Sequence, residues 1–118
     1  MKGIFLVKPH GELIANKTKT LILKKKPIPK DYLNIPILVV DNEHVWAKII
    51  LRNPKIIGLK QFNNLKNKHQ ISDKEREKWW KDTKKFYAYD FDLLETYKNL
   101  YHLYKKGTQT VVKDVEIL

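Results

Sequence analysis

The sequence predicts an α+β fold: a small, mostly antiparallel β-barrel with helices inserted between its strands. Three observations point there. The 118 residues contain about five or six short β-rich runs. These runs do not alternate strictly with helical segments, which argues against a doubly wound parallel sheet. A small twisted antiparallel sheet that curls on itself accommodates them better. The length suits a single domain over residues 1–118.

Taken in order, Gly3–Val7 is a short apolar strand stopped by Pro9. Gly11–Asn16 makes one or two helical turns. Thr18–Lys24 alternates as a strand, with Thr18, Thr20, Ile22 and Lys24 on one face and Lys19, Leu21 and Leu23 on the other. Pro27 and Pro29 cannot donate ladder hydrogen bonds, so the segment following Lys24-Lys25-Lys26 is a loop or an edge. Ile35–Val40 and His44–Arg52 flank the turn Asp41-Asn42-Glu43 and read as a hairpin. In its second strand Val45, Ala47, Ile49 and Leu51 share one side. Ile56–Leu59 adds a strand fragment, and Gln61–Lys68 places Phe62 and Leu65 at helical spacing.

Ser72 followed by Glu75 is a capping box, predicting a helix to about Trp80 or Lys81. Trp79 and Trp80 then point about 100° apart, one inward and one over a surface groove. Lys85–Phe91 alternates again as a strand. Asp92 with Glu95 repeats the capping pattern ahead of an amphipathic stripe, Leu93, Leu94, Tyr97, Leu100, Tyr101 and Tyr104, which predicts a helix ended by Lys105, Lys106 and Gly107. That Leu93–Tyr104 helix is a candidate surface for self-association. Thr108–Lys113 and Val115–Leu118 close the chain as strand material.

Charge narrows the function. Lys and Arg number 24 against 13 Asp and Glu, a formal net charge of +11. Such a surplus attracts polyanions, nucleic acid foremost. Only Arg52 and Arg76 are arginine, whose planar fork makes two-point contacts to phosphates and bases and would have been the stronger sign of nucleic-acid contact. The absence of cysteine excludes disulfides, thiolate metal sites and cysteine nucleophiles. His10, His44, His69 and His102 lack metal-ligand spacing, and Asp41, Glu43 and His44 are ordinary turn residues, so neither a metal nor any other cofactor is expected. With four glycines there is no phosphate-cradling glycine loop. The opening apolar run of four residues is too short for a signal peptide or a membrane span, so a soluble, cytoplasmic protein without membrane contact is expected.

Several segments together resemble the ASCH family of PUA-like β-barrel domains. They are Ile4-Phe5-Leu6-Val7-Lys8-Pro9, the run Glu12-Leu13-Ile14 followed by Asn16–Lys24, the stretch Asp73–Phe91 with its paired tryptophans, and Gly107–Val112. In the family's GxKxxExR signature, aligned on Lys19, this chain has Lys17 for Gly, Ile22 for Glu and Lys24 for Arg. The resemblance implies a PUA-like barrel. Together with the charge it implies a domain that binds RNA or single-stranded nucleic acid in a cleft between the segment after the first strand and Thr18–Lys24. Lys8, Lys19, Lys24, Lys25 and Lys26 would meet phosphate, while His10 and Trp79 or Trp80 would meet a base or sugar. Some family members look like amidohydrolases of acylated cytidine that use a Lys and a Thr in this segment and a Glu elsewhere. The alternative is therefore an enzyme acting on a modified nucleoside with Lys19 and Thr20, where Glu12 or Glu43 is a conceivable carboxylate partner for Lys19.

Overall fold

A computed structural model describes residues 1–103 and 110–118. In chain order the elements are β1 (Gly3–Phe5), α1 (His10–Ala15), β2 (Leu21–Lys24), a 3-10 turn (Lys30–Tyr32), β3 (Pro36–Val40) and β4 (Val45–Leu51). There follow β5 (Lys55–Gly58), α2 (Leu59–Asn64), α3 (Lys66–His69), α4 (Asp73–Trp80), β6 (Lys85–Thr96) and β7 (Val111–Val112). The sheet runs β2-β6-β4-β3-β1-β7, with β5 on the other edge of β6. All pairings are antiparallel except β1 with β3.

β6 makes the sheet curl. Its first half pairs with β2 and β5, and its second half pairs with β4. A register shift between Lys48 and Ile49 accompanies the second pairing, and such irregularities bend a strand and increase its twist. The sheet's far ends thereby approach each other: Lys24, ending β2, donates from Nζ to the carbonyl of Phe5 in β1 at 3.1 Å. The result is the mixed α+β, barrel-like architecture the sequence predicts.

Local chemistry accounts for most elements. In β4, Val45, Ala47, Ile49 and Leu51 are buried while the alternate residues are half-buried, as period-two patterning requires. Ile4, Ile22, Ile37, Ile49 and Tyr89 belong to the barrel interior. A second cluster, including Leu21, Leu23, Phe62 and Phe86, lies under α2–α4. Ser72 Oγ accepts the Glu75 amide at 3.1 Å and Glu75 Oε1 accepts the Ser72 amide at 2.9 Å, so the predicted capping box starts α4. Among the described residues no helix is long and apolar enough to cross a membrane.

The helix predicted from Leu93 is not formed. The chain stays in β6 to Thr96, with Leu93 opposite Ile49, Glu95 opposite Lys48 and Thr96 opposite Ala47. The outer edge of β4 needs a partner for its backbone groups, and the side chains match: Lys48 reaches Glu95 at 3.6 Å, and Arg52 pairs with Asp92. Leu93 faces the core while Leu94 is exposed, which is strand alternation. Tyr97 and Leu100 instead cover Val40 and Val45. The helical stripe on which self-association would rest is thus absent among the described residues. Tyr104, the expected helix end at Lys105, Lys106 and Gly107, and the start of the closing strand at Thr108 lie outside them. Of the closing segment, Val111–Val112 is strand and Ile117 makes a single bridge to His102.

Asp41 fastens the β3–β4 turn. Its buried carboxylate accepts the amides of Glu43 (2.9 Å) and His44 (2.8 Å) and the Trp46 indole N–H (2.7 Å). Burial pushes its pKa up, but these donors outweigh burial and hold it below the usual carboxylate range. Asp41→Asn keeps one acceptor and sets an amide N–H against the other donors, so it should cost about 1–2 kcal/mol in urea denaturation.

Candidate functional site

A cavity of about 250 Å³ lies where the two ends of the sheet converge. Phe5, Leu6 and Val7 from the end of β1 and His10 at the start of α1 form one side. Lys19, Ile22, Leu23 and Lys24 form the other. Ile71, Trp79, Trp80 and Thr110 complete it.

Lys19 does not follow the strand alternation expected of Thr18–Lys24. The ladder begins only at Leu21; before it, the amides of Thr18 and Lys19 both donate to the carbonyl of Leu13, at 2.9 and 3.0 Å. This irregular turn brings Lys19 to the same cavity as Lys24. Lys19 is 2% exposed, and its ammonium donates to the carbonyl of His69. Burial first, and then the charge of Lys24, lower its pKa to about 7, with Glu75 opposing. Burial lowers Lys24 to about 8.

Glu75 is the residue the sequence reading passed over. Its Oε1 is consumed by the capping box, but Oε2 accepts the His10 Nε2–H at 2.8 Å. Burial raises its pKa, while the Ser72 amide and His10 outweigh that and keep it ionised below the usual range. His10 is lowered by burial and by Lys19, against the pull of Glu75. Its imidazole is therefore neutral near pH 7, and Nδ1 is buried without a partner. The only sequence signal for this role is that a capping glutamate has a second oxygen to give.

The tryptophans do not divide into one buried and one exposed. Both pack against the second cluster and both line the cavity. Trp79 meets His10 edge-on at 5.7 Å, and Trp80 meets Phe86 at 5.4 Å. A second hollow, about 260 Å³, shares Lys24, Trp80 and Thr110 with the first and is lined further by Lys25, Lys26, Pro27 and Pro29. The structure thus brings His10, Lys19, Lys24, Trp79 and Trp80 together and sets Lys25 and Lys26 next door. Lys8 is exposed and lines neither hollow. Thr20 is also exposed, with its amide on the Lys68 carbonyl, and is not beside Lys19 in the cavity. Glu12 and Glu43 are exposed; the carboxylate that acts on Lys19 is Glu75.

His69 is buried, donating from Nε2 to the Phe62 carbonyl (2.9 Å) and accepting the Ile71 amide at Nδ1 (2.9 Å). His44 stacks on Trp46 at 4.8 Å, and His102 Nε2 donates to the Asp41 carbonyl at 2.6 Å. Among the described residues, no three His, Asp or Glu side chains gather as a metal-binding group.

No protein-family sequence model matches the chain, and no curated protein matches it. Solved structures do. Crystal structures of the ASCH protein of Zymomonas mobilis superpose in native form with a TM-score of 0.64, over 99% of this chain and 86% of that one, at 14% identity. One point-substituted form gives 0.64 over 99% and 87%, and another gives 0.63 over 83% and 75%, each again at 14% identity. The likeness is one of fold. The chain has the fold of that ASCH protein, a mixed α+β architecture with a curled, barrel-like sheet.

Proposed function

We propose that this protein binds RNA or single-stranded nucleic acid, with one nucleotide unit in the cavity and the adjoining backbone along Lys25 and Lys26. The observation that carries this reading is that the two hollows are neighbours sharing Lys24, Trp80 and Thr110 as walls. One hollow offers aromatic and apolar walls around ammonium groups; the other offers a lysine edge. Single-strand binding asks for that pairing of stacking surface and cationic track. The net charge of +11 adds the long-range attraction.

The reading predicts steep salt dependence. Binding of a fluorescent oligouridylate, followed by anisotropy across a salt series, should weaken linearly in log–log form. The double variant Lys25→Ala/Lys26→Ala should flatten the slope by about 1.4, because each lost single-strand phosphate contact removes roughly 0.7. A slope unchanged by both substitutions, or no binding to any polynucleotide, counts against the proposal.

A second reading has a specific observation in its favour. Lys19, with its pKa near 7, lines the cavity and feels the charge of the ionised Glu75, a combination that base chemistry on an acylated nucleoside could use. Hydrolysis of acylated cytidine that is lost in Lys19→Ala and retained in Thr20→Ala, since Thr20 is outside the cavity, would favour it.

A further inference from the structure

The two ammonium groups of the cavity are short of partners. Lys19 donates to the His69 carbonyl and Lys24 to the Phe5 carbonyl. An ammonium carries three N–H donors, so each retains two. Among the described residues neither forms an ion pair. Glu75, the one carboxylate acting on Lys19, gives its oxygens to His10 and the Ser72 amide. The neutral His10 adds no charge, and both ring nitrogens of His69 are engaged. The buried Lys19 and the half-buried Lys24 thus have one carboxylate acting near them between apolar walls, where uncompensated charge is costly.

Resting on the nucleic-acid reading above, we infer that the cavity takes the terminal nucleotide of a strand, with its phosphate monoester between Lys19 and Lys24. An internal phosphodiester has two unesterified oxygens and must continue as chain on both sides. A monoester has three, enough to meet donors from both ammonium groups, and its chain leaves on one side only. The hollow edged by Lys25 and Lys26 supplies that exit. At about 250 Å³ the cavity is below the usual range of ligand pockets, roughly 300–1,000 Å³. That volume leaves no room for more than one nucleotide.

The test is competition against a fluorescent RNA at pH 7, using unlabelled octanucleotides that carry a 5′-phosphate, a 3′-phosphate or hydroxyls at both ends. One phosphorylated form should compete at least tenfold better than the hydroxyl form, and Lys24→Met should erase the difference. Phosphorus NMR of a nucleoside monophosphate with the unaltered protein gives a readout independent of any variant: its resonance should shift. Equal competition by all three octanucleotides overturns the inference while leaving nucleic-acid binding intact. Binding of the monophosphate without RNA binding keeps the phosphate site, assigns it to a free nucleotide, and removes the nucleic-acid reading. No response from either ligand removes both.

Discussion

Lys19→Met should make the protein more stable at pH 7 by about 2 kcal/mol and weaken the proposed ligand at least tenfold. The stability gain follows from the burial of the ammonium. Lys19 has a pKa of about 7 in the folded chain against 10.5 for the ordinary group. Between those values the unfolded chain holds more protons than the folded one, so stability rises with pH through that window and is flat below it. A shift of this size corresponds to about 4 kcal/mol at pH 7, of which roughly 2 returns as a loss when methionine leaves the His69 carbonyl without its donor. Unaltered protein should therefore gain about 2 kcal/mol from Lys19 alone between pH 7 and pH 9 in urea denaturation. Lys24, at about 8, adds to the climb. The climb ends near pH 10, because Tyr97 is pushed up to about 12, chiefly by burial: above pH 10 the unfolded tyrosine ionises while the folded one stays neutral, which favours the unfolded chain. In Lys19→Met only the Lys24 part of the climb should remain. A variant with unchanged pH dependence would show that Lys19 is solvated in the folded protein and would remove the premise of the cavity argument. Function and stability are opposed at this residue, which is what a group kept for a ligand leads one to expect.

Why Lys19 escaped a reading of strand alternation is a matter of where the ladder starts. Alternation assigns Lys19 and Lys24 to opposite faces of one strand, and it would be right if the strand began at Thr18. The Leu13 carbonyl takes both amides before Leu21 and breaks the phase; that acceptor lies in the preceding helix, outside any window of strand pattern. The acceptor of the Lys19 ammonium, His69, is 50 residues away. Where the determinants are local, the sequence is a good guide. Ser72 and Glu75 mark the start of α4, and the spacing of Val45, Ala47, Ile49 and Leu51 marks the inward face of β4. The segment after Asp92 fails for the opposite reason. Its acids and leucines satisfy helix capping and strand alternation equally well, and the unpaired edge of β4 decides between them. That edge is a tertiary fact, and tertiary context overrides local propensity.

Glu75→Ala should cost about 2–3 kcal/mol, the sum of a lost cap and a buried imidazole N–H left without an acceptor. The His10 side chain is 3% exposed, so in the unaltered protein its Nε2–H depends on this carboxylate and not on water. Glu75→Gln separates the two functions of this residue. Glutamine can still accept the Ser72 amide and can offer its N–H to His10, whose proton then moves to the presently unpartnered Nδ1. The cap is kept, but the Nδ1–H then lacks an acceptor, so the stability cost should be about 1–2 kcal/mol, below that of Glu75→Ala. The charge, however, is gone, and with it the one interaction that raises the pKa of Lys19. In Glu75→Gln the Lys19 amine should therefore titrate below its value in the unaltered protein, measurable by carbon NMR of the lysine side chains. A lysine amine that is neutral at pH 7 attracts phosphate less, so ligand affinity near neutrality should fall with less loss of stability than in Glu75→Ala. If both substitutions destabilise equally, Glu75 acts through its charge on α4 and not through His10. If Lys19 titrates as before in Glu75→Gln, the carboxylate is not what sets the charge of the cavity.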